Sequence, residues 1–270
     1  SYESLNDGYY TTQFYHVCVY PDPADPTLLG GMQDNGSWLT QSQDPTIDWS
    51  ELLGGDGAFC EISNAATRSG TARYPSFQNG QTTRFDYDNS GTLTNAVFVY
   101  PNSATGILFI HPFELDPATP NVMYYPGGTS MWRTQNVEST SGVTWEEISG
   151  AAPSGHTITA VRASDANAEH VLYYGTVDQG GGAGKVYRLE HADTVDVASA
   201  SPVDVTGTDF PAGGYVSSIA VDPTDSDKVL VTFSNYNVVS LFYTADGGQS
   251  WTDVEGNLSG TDLGSGRRRG

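Results

Sequence analysis

Apolar and polar residues alternate in short runs along this chain, and turn formers interrupt the runs every few positions. Val17-Cys18-Val19-Tyr20-Pro21 precedes Leu28-Leu29-Gly30, and Phe113-Glu114-Leu115-Asp116-Pro117 precedes Val122-Met123-Tyr124-Tyr125. Ile158-Thr159-Ala160-Val161 precedes Val171-Leu172-Tyr173-Tyr174, and Ile219-Ala220-Val221-Asp222-Pro223 precedes Val229-Leu230-Val231-Thr232. Each pair predicts an apolar strand, a turn built on Pro, Asp or Asn, and a second apolar strand. Val239-Ser240-Leu241-Phe242-Tyr243 predicts a third strand. Long segments of helical period are scarce, and abundant Gly, Tyr and Pro favour strands and turns.

The pattern repeats. Trp251-Thr252-Asp253-Val254-Glu255-Gly256 recurs as Trp145-Glu146-Glu147-Ile148-Ser149-Gly150 and as Trp49-Ser50-Glu51-Leu52-Leu53-Gly54. Weaker copies are Pro202-Val203-Asp204-Val205-Thr206-Gly207 and Tyr2-Glu3-Ser4-Leu5, and Phe98 takes the remaining slot. The anchors 2, 49, 98, 145, 202 and 251 are separated by 47, 49, 47, 57 and 49 residues. The Trp-led segment is a fourth strand. Four short strands in roughly 50 residues is the signature of a propeller blade. The expected fold is therefore all-β: a β-propeller of four-stranded antiparallel blades over residues 1–258, about five blades, with a disordered tail at 259–270. Six fourth-strand anchors stand against five sets of strands one to three. That count points to an excerpt from a larger propeller. An incomplete ring either closes under strain or associates with another chain through its open edge.

Thr244-Ala245-Asp246-Gly247-Gly248-Gln249-Ser250-Trp251 resembles the Asp-box, or bacterial neuraminidase repeat, at Thr244, Asp246, Gly248, Ser250 and Trp251. Asp86-Tyr87-Asp88-Asn89-Ser90-Gly91-Thr92-Leu93 looks like a degenerate copy. Gly30-Gly31-Met32-Gln33-Asp34-Asn35-Gly36 and Gly54-Gly55-Asp56-Gly57 resemble phrases of secreted glycosyl-hydrolase-like propellers, related in architecture to sialidases, xyloglucanases and the sortilin ectodomain. The resemblance implies a structural role for the Asp-box, its Asp and Ser/Thr bonding the turn and its Trp packing between blades. Physics agrees, because Asp and Ser side chains cap tight turns and Trp supplies a large contact. Asp246 is thus not read as catalytic.

Charge narrows the function. Lys plus Arg is 11 against 32 Asp plus Glu, a net charge of −21. Such a surface repels nucleic acid and anionic membranes. It suits a salty extracellular medium, where screening softens self-repulsion, or an ordinary acidic protein. No apolar run approaches the roughly 20 residues that cross a bilayer, so membrane insertion is not expected. No leader-like start is present, as is also true of a mature secreted protein. Cys18 and Cys60 fall in apolar alternating runs and read as small buried core residues rather than a disulfide.

Propeller geometry puts the turns after strand two and the blade-to-blade connections on one face, with the Asp-box turns opposite. Tyr10, Gln13, Asp34, Asn35, Asp56, Gln78, Asn79, His111, His156 and Tyr236 should share the first rim. Amides, carboxylates and tyrosines suit sugars. Asn35-Gly36, Asn79-Gly80 and Asp56-Gly57 equally suit hairpin turns. His16, His111 and His156 lack metal-ligand spacing, so no metal and no cofactor are expected. Two functions follow. One is a secreted, non-catalytic module that binds a polysaccharide, a glycan or a protein partner. The other is a glycoside hydrolase, whose carboxylate pair would be Asp34 and Asp56. A sialidase is disfavoured, because its site needs clustered arginines and Arg68, Arg73, Arg84, Arg133, Arg162 and Arg188 do not recur in rim loops.

Overall fold

The computed structural model describes residues 12–20, 22–64, 69–164, 166 and 169–258. These form twenty strands in five antiparallel sheets of four, with no α-helix among the described residues. The first blade holds β1 (Phe14–Val19), β2 (Leu28–Met32), β3 (Gly36–Thr40) and β4 (Ser50–Leu53). The second holds β5 (Gly57–Asn64), β6 (Thr71–Phe77), β7 (Gln81–Tyr87) and β8 (Leu93–Phe98). The third holds β9 (Glu114–Leu115), β10 (Met123–Gly127), β11 (Ser130–Thr134) and β12 (Glu146–Ile148). The fourth holds β13 (His156–Ser164), β14 (Val171–Asp178), β15 (Val186–Leu189) and β16 (Val203–Asp204). The fifth holds β17 (Val216–Asp222), β18 (Asp225–Phe233), β19 (Leu241–Thr244) and β20 (Thr252–Asp253). Within each sheet the strands lie in sequential or reversed chain order, so the described residues form a β-propeller of five blades.

Its core lies between blades. Period-2 alternation sends neighbouring side chains of one strand to opposite faces. Tyr124 packs with Leu172 and Tyr174 of the fourth blade, while Tyr125 packs with Ala72 and Tyr74 of the second. Likewise Tyr174 faces the third blade and Tyr173 the fifth. Cys18, Leu29 and Leu39 meet Cys60 and Ile62 across the first interface. Four apolar clusters thus join five consecutive blades. Among the described residues none joins the fifth blade to the first.

Arginines pin the same seams. Arg84 of β7 is fully buried, ion-paired with Asp86 at 2.9 Å, and donates to the carbonyl of Val137 in the third blade. Arg133 of β11 pairs with Glu146 at 2.6 Å and donates to Ala192 O and Val195 O of the fourth. Arg188 of β15 reaches Asp227 of the fifth at 2.7 Å. Three third-strand arginines therefore cross to the next blade, a recurrence that a search of rim loops does not find.

The turns between strands three and four are self-bonded. Asp246 accepts from the Ser250 amide at 2.9 Å and from its hydroxyl at 2.5 Å, and Thr244 Oγ1 donates to Asp246 Oδ1 at 2.7 Å. The Trp251 indole N–H donates to Val205 O at 2.7 Å, with the ring against Phe210. Asp88 repeats the scheme with Ser90 and Thr92. So does Asn136, which accepts from Thr134 Oγ1 at 2.9 Å and from the Thr144 amide at 2.9 Å, just before Trp145. This copy escapes sequence reading because extra residues separate Asn136 from Thr144-Trp145.

Trp49, Trp145 and Trp251 each immediately precede a fourth strand. The Phe98 anchor is corrected. Thr92 takes the place of Ser250 in the Asp88 turn, so Leu93 opens β8 and Phe98, 61% exposed, closes it. The Tyr2–Leu5 segment and the 259–270 tail lie outside the described residues.

Removing the inter-blade ring by Trp251→Ala should destabilise the fold by about 2–3 kcal/mol. Denaturant unfolding measures it, and a loss below about 0.5 kcal/mol contradicts the packing role.

Candidate functional site

Two glycine phrases meet where the first blade passes into the second. A Cβ on Gly31 would lie 2.1 Å from Ala58 O, and one on Gly57 would lie 2.1 Å from Gly36 O. Only glycine lets these backbones approach so closely. The Gly36 amide also donates to Gly55 O at 2.8 Å. The contact fixes the β2–β3 turn against the connection leaving β4.

Between them opens a shallow hollow of about 400 Å³, lined by Asp34, Asn35, Gly36, Trp38, Glu51, Gly55 and Asp56. Asp34 sits at φ 57°, a left-handed conformation that Asp tolerates in turns. Asp56 Oδ1 accepts from the Asp34 amide at 2.8 Å, and the Asp56 amide donates to Gln78 Oε1 at 2.9 Å. This chain ties the turns of two blades into one rim. The Trp38 indole N–H donates to Asn35 O, and Asn35 Nδ2 to Gln33 O. Three carboxylates, one amide and one indole converge, and among the described residues no Lys, Arg or His lines the hollow.

The predicted rim residues divide. Asp34, Asn35 and Asp56 come together, and Gln78 braces them. Trp38 and Glu51 were missed. The available signal was that Trp38 follows the Asn35-Gly36 turn at a spacing of two from Gly36, on an alternating strand. Gln13 supplies a backbone carbonyl to the Gln33 amide at 3.3 Å. Asn79, at φ 61°, donates its amide to Phe109 O and serves the turn. His111 is corrected as a ligand contact: it is fully buried, its Nδ1 accepts from the Leu108 amide, and its Nε2 donates to Pro126 O. Burial lowers its pKa to about 4, against the opposing pull of the Pro126 bond, which keeps the ring neutral. His156 bonds Thr176 Oγ1 through Nδ1 at 3.0 Å. Tyr236 stands 74% exposed, apart from the hollow. Tyr10 lies outside the described residues.

A second polar space runs along the axis. A cavity of about 190 Å³ is lined from all five first strands, including Tyr15 and His16 of β1, Phe59 of β5, Glu114 of β9, Arg162 of β13 and Ser217 of β17. Glu114 pairs with Arg162 at 3.2 Å, with side chains 8% and 49% exposed. Burial pushes Glu114 up to about 7, and Arg162 only partly opposes it. Glu61 is raised as well, by burial first and then by Glu114. Sequence reading missed both, because a carboxylate in an alternating strand looks like a solvent-facing position. Among the described residues no cluster of three or more His, Cys, Asp or Glu is arranged to hold a metal ion.

No protein-family description matches this sequence, and no curated protein does. Among solved structures the chain resembles the crystal structure of the GH74 enzyme of Niastella koreensis, with a TM-score of 0.60 and 14% identity. The match covers 88% of this chain and 38% of that one, so this chain spans under two fifths of its neighbour. At this identity the likeness is one of fold.

The channel carboxyl Glu114 carries a pH signature. Glu114 is raised from 4.5 to about 7 on folding, so its protonated form favours the fold. Its contribution is fully present below pH 4.5 and lost as pH rises through about 7. Glu114→Gln should flatten the decline in melting temperature across that window. An unchanged pH profile in the variant would assign the decline elsewhere.

Proposed function

We propose that this chain is a non-catalytic, carbohydrate-binding propeller of the Asp-box type, acting outside the cell, and that the hollow beside Trp38 is its binding site. The observation that carries this reading is the convergence of Asp34, Asn35, Glu51 and Asp56 around Trp38 with no cation among them. Fixed acceptors beside an aromatic ring suit a ligand with many hydroxyl donors and an apolar face, which describes a neutral sugar. Anionic sugars are disfavoured by three carboxylates. The self-bonded turns at Asp246, Asp88 and Asn136 support the Asp-box assignment. The acidic composition supports an extracellular setting.

The hydrolase reading is kept because one structural neighbour is a GH74 enzyme. Against it, Asp56 is committed to the Asp34 amide. A hydrolase also needs a carboxylic acid held protonated near neutral pH. Burial raises Glu61 and Glu114 in that direction, and neither lines the hollow.

A glycan array spanning neutral and anionic oligosaccharides tests the site. Neutral oligosaccharides should bind, and Trp38→Ala should weaken binding by about tenfold or more. Binding that is indifferent to Trp38→Ala removes the hollow from consideration. Reducing ends released from a bound glycan, and abolished by Asp34→Asn, establish the hydrolase instead.

A further inference from the structure

Cys18 and Cys60 belong to different blades yet share one cluster with Leu29, Leu39 and Ile62. Cys18 lies opposite Leu29 in the β1–β2 register, and Cys60 Sγ donates to Leu29 O at 3.1 Å from the neighbouring blade. Both cysteines therefore border Leu29, Cys18 across the strand pairing and Cys60 from the next blade. His16, two residues before Cys18, places Nδ1 3.5 Å from Cys60 Sγ and 3.4 Å from the Cys60 amide. The ring stacks on Phe59 at 4.5 Å between centroids, and both residues line the axial cavity. A cysteine pair, a base on one of the sulfurs and an opening for a small molecule therefore meet at one seam.

We infer that Cys18 and Cys60 are an oxidisable pair that forms a disulfide between the first and second blades, with His16 as the base and the axial channel as the path of a small peroxide oxidant. Cys60 gives its proton to His16 Nδ1, and the thiolate attacks one oxygen of hydrogen peroxide. The O–O bond breaks, Cys60 becomes a sulfenic acid, and the departing hydroxide takes the proton from His16 to leave as water. Cys18 sulfur then attacks Cys60 sulfur. The S–S bond forms, the S–OH bond breaks, and the hydroxyl leaves as a second water with the Cys18 proton. Two thiols lose two electrons in all, and the peroxide gains them.

The environments differ in the required sense. Burial pushes the Cys60 thiol up, but its interactions with Cys18 and His16 outweigh that and bring it down, favouring the thiolate. Cys18 is raised by burial and by its interaction with Cys60, which marks it as the resolving thiol. The bridge would close β1 onto β5 around the whole first blade and constrain the unfolded chain. The inference does not depend on the carbohydrate reading.

The test treats the folded protein with hydrogen peroxide, quenches, denatures, alkylates and reads intact mass. Reduced protein should take an alkyl group on each cysteine, and oxidised protein on neither, with a linked peptide joining Cys18 to Cys60. His16→Gln should form the bridge about a hundredfold more slowly, the scale of a positioned base. Cys18→Ser should hold Cys60 as a sulfenic acid that dimedone captures, and a circular dichroism scan checks that both variants fold. The bridged form should melt several degrees higher. Two alkyl groups on peroxide-treated wild type, or a linkage between chains in place of one within the chain, overturns the proposal. An undiminished rate in folded His16→Gln removes His16 from it.

Discussion

No sheet in this molecule can bury its own faces. A four-stranded sheet has two sides, and here both are apolar on the inner three strands, as the paired tyrosines of β10 and β14 show. Each blade is therefore stable only between neighbours, and the seams rather than the sheets carry the core. Everything else accommodates that constraint. Third-strand arginines cross the seams because their long stems reach the next blade while their heads find carbonyls or, for Arg188, a carboxylate there. The Asp116 carboxylate does similar service, bonding Tyr124 within its own blade at 2.9 Å and His170 of the next at 3.0 Å.

The strands were legible because each obeys a period of two and each ends in turn chemistry. The tryptophans were legible because they recur at one place in the blade. Phe98 was misassigned because the second blade replaces Trp by Leu93, leaving the spacing to be filled by the nearest aromatic. Asn136 was hidden by an insertion that alters the motif spacing but not its hydrogen bonds. Asp34 and Asp56 were found together because turn topology sets which loops share a rim. Their link through the Asp34 amide was not legible, since a one-dimensional pattern says nothing of where a carboxylate points.

The channel escaped for a deeper reason. Alternation separates core-facing from solvent-facing positions only when one side of a strand meets bulk water. The first strand of a blade has a third environment, the axis, where a polar side chain leaves the apolar seam without reaching solvent. Glu114 occupies it, largely buried, and pays the desolvation that raises its pKa. Arg162 is a partner for it, but nearly half exposed, so the attraction is screened while the desolvation is not.

Where the cations go decides what the surface presents. Arg84, Arg133 and Arg188 are spent on seams, Arg162 on Glu114, Lys185 on Asp204 and Lys228 on Asp225. Arg73 is buried, with its guanidinium 3.8 Å over the Tyr87 ring. Every Lys and Arg among the described residues is thus engaged within the molecule, so among those residues no basic patch faces the exposed carboxylates. The hollow at the first seam inherits that condition: none of these cations is among its lining residues. Positive charge committed to holding the blades together thus leaves the rim of the first seam to carboxylates and amides, the condition on which the proposed sugar site rests.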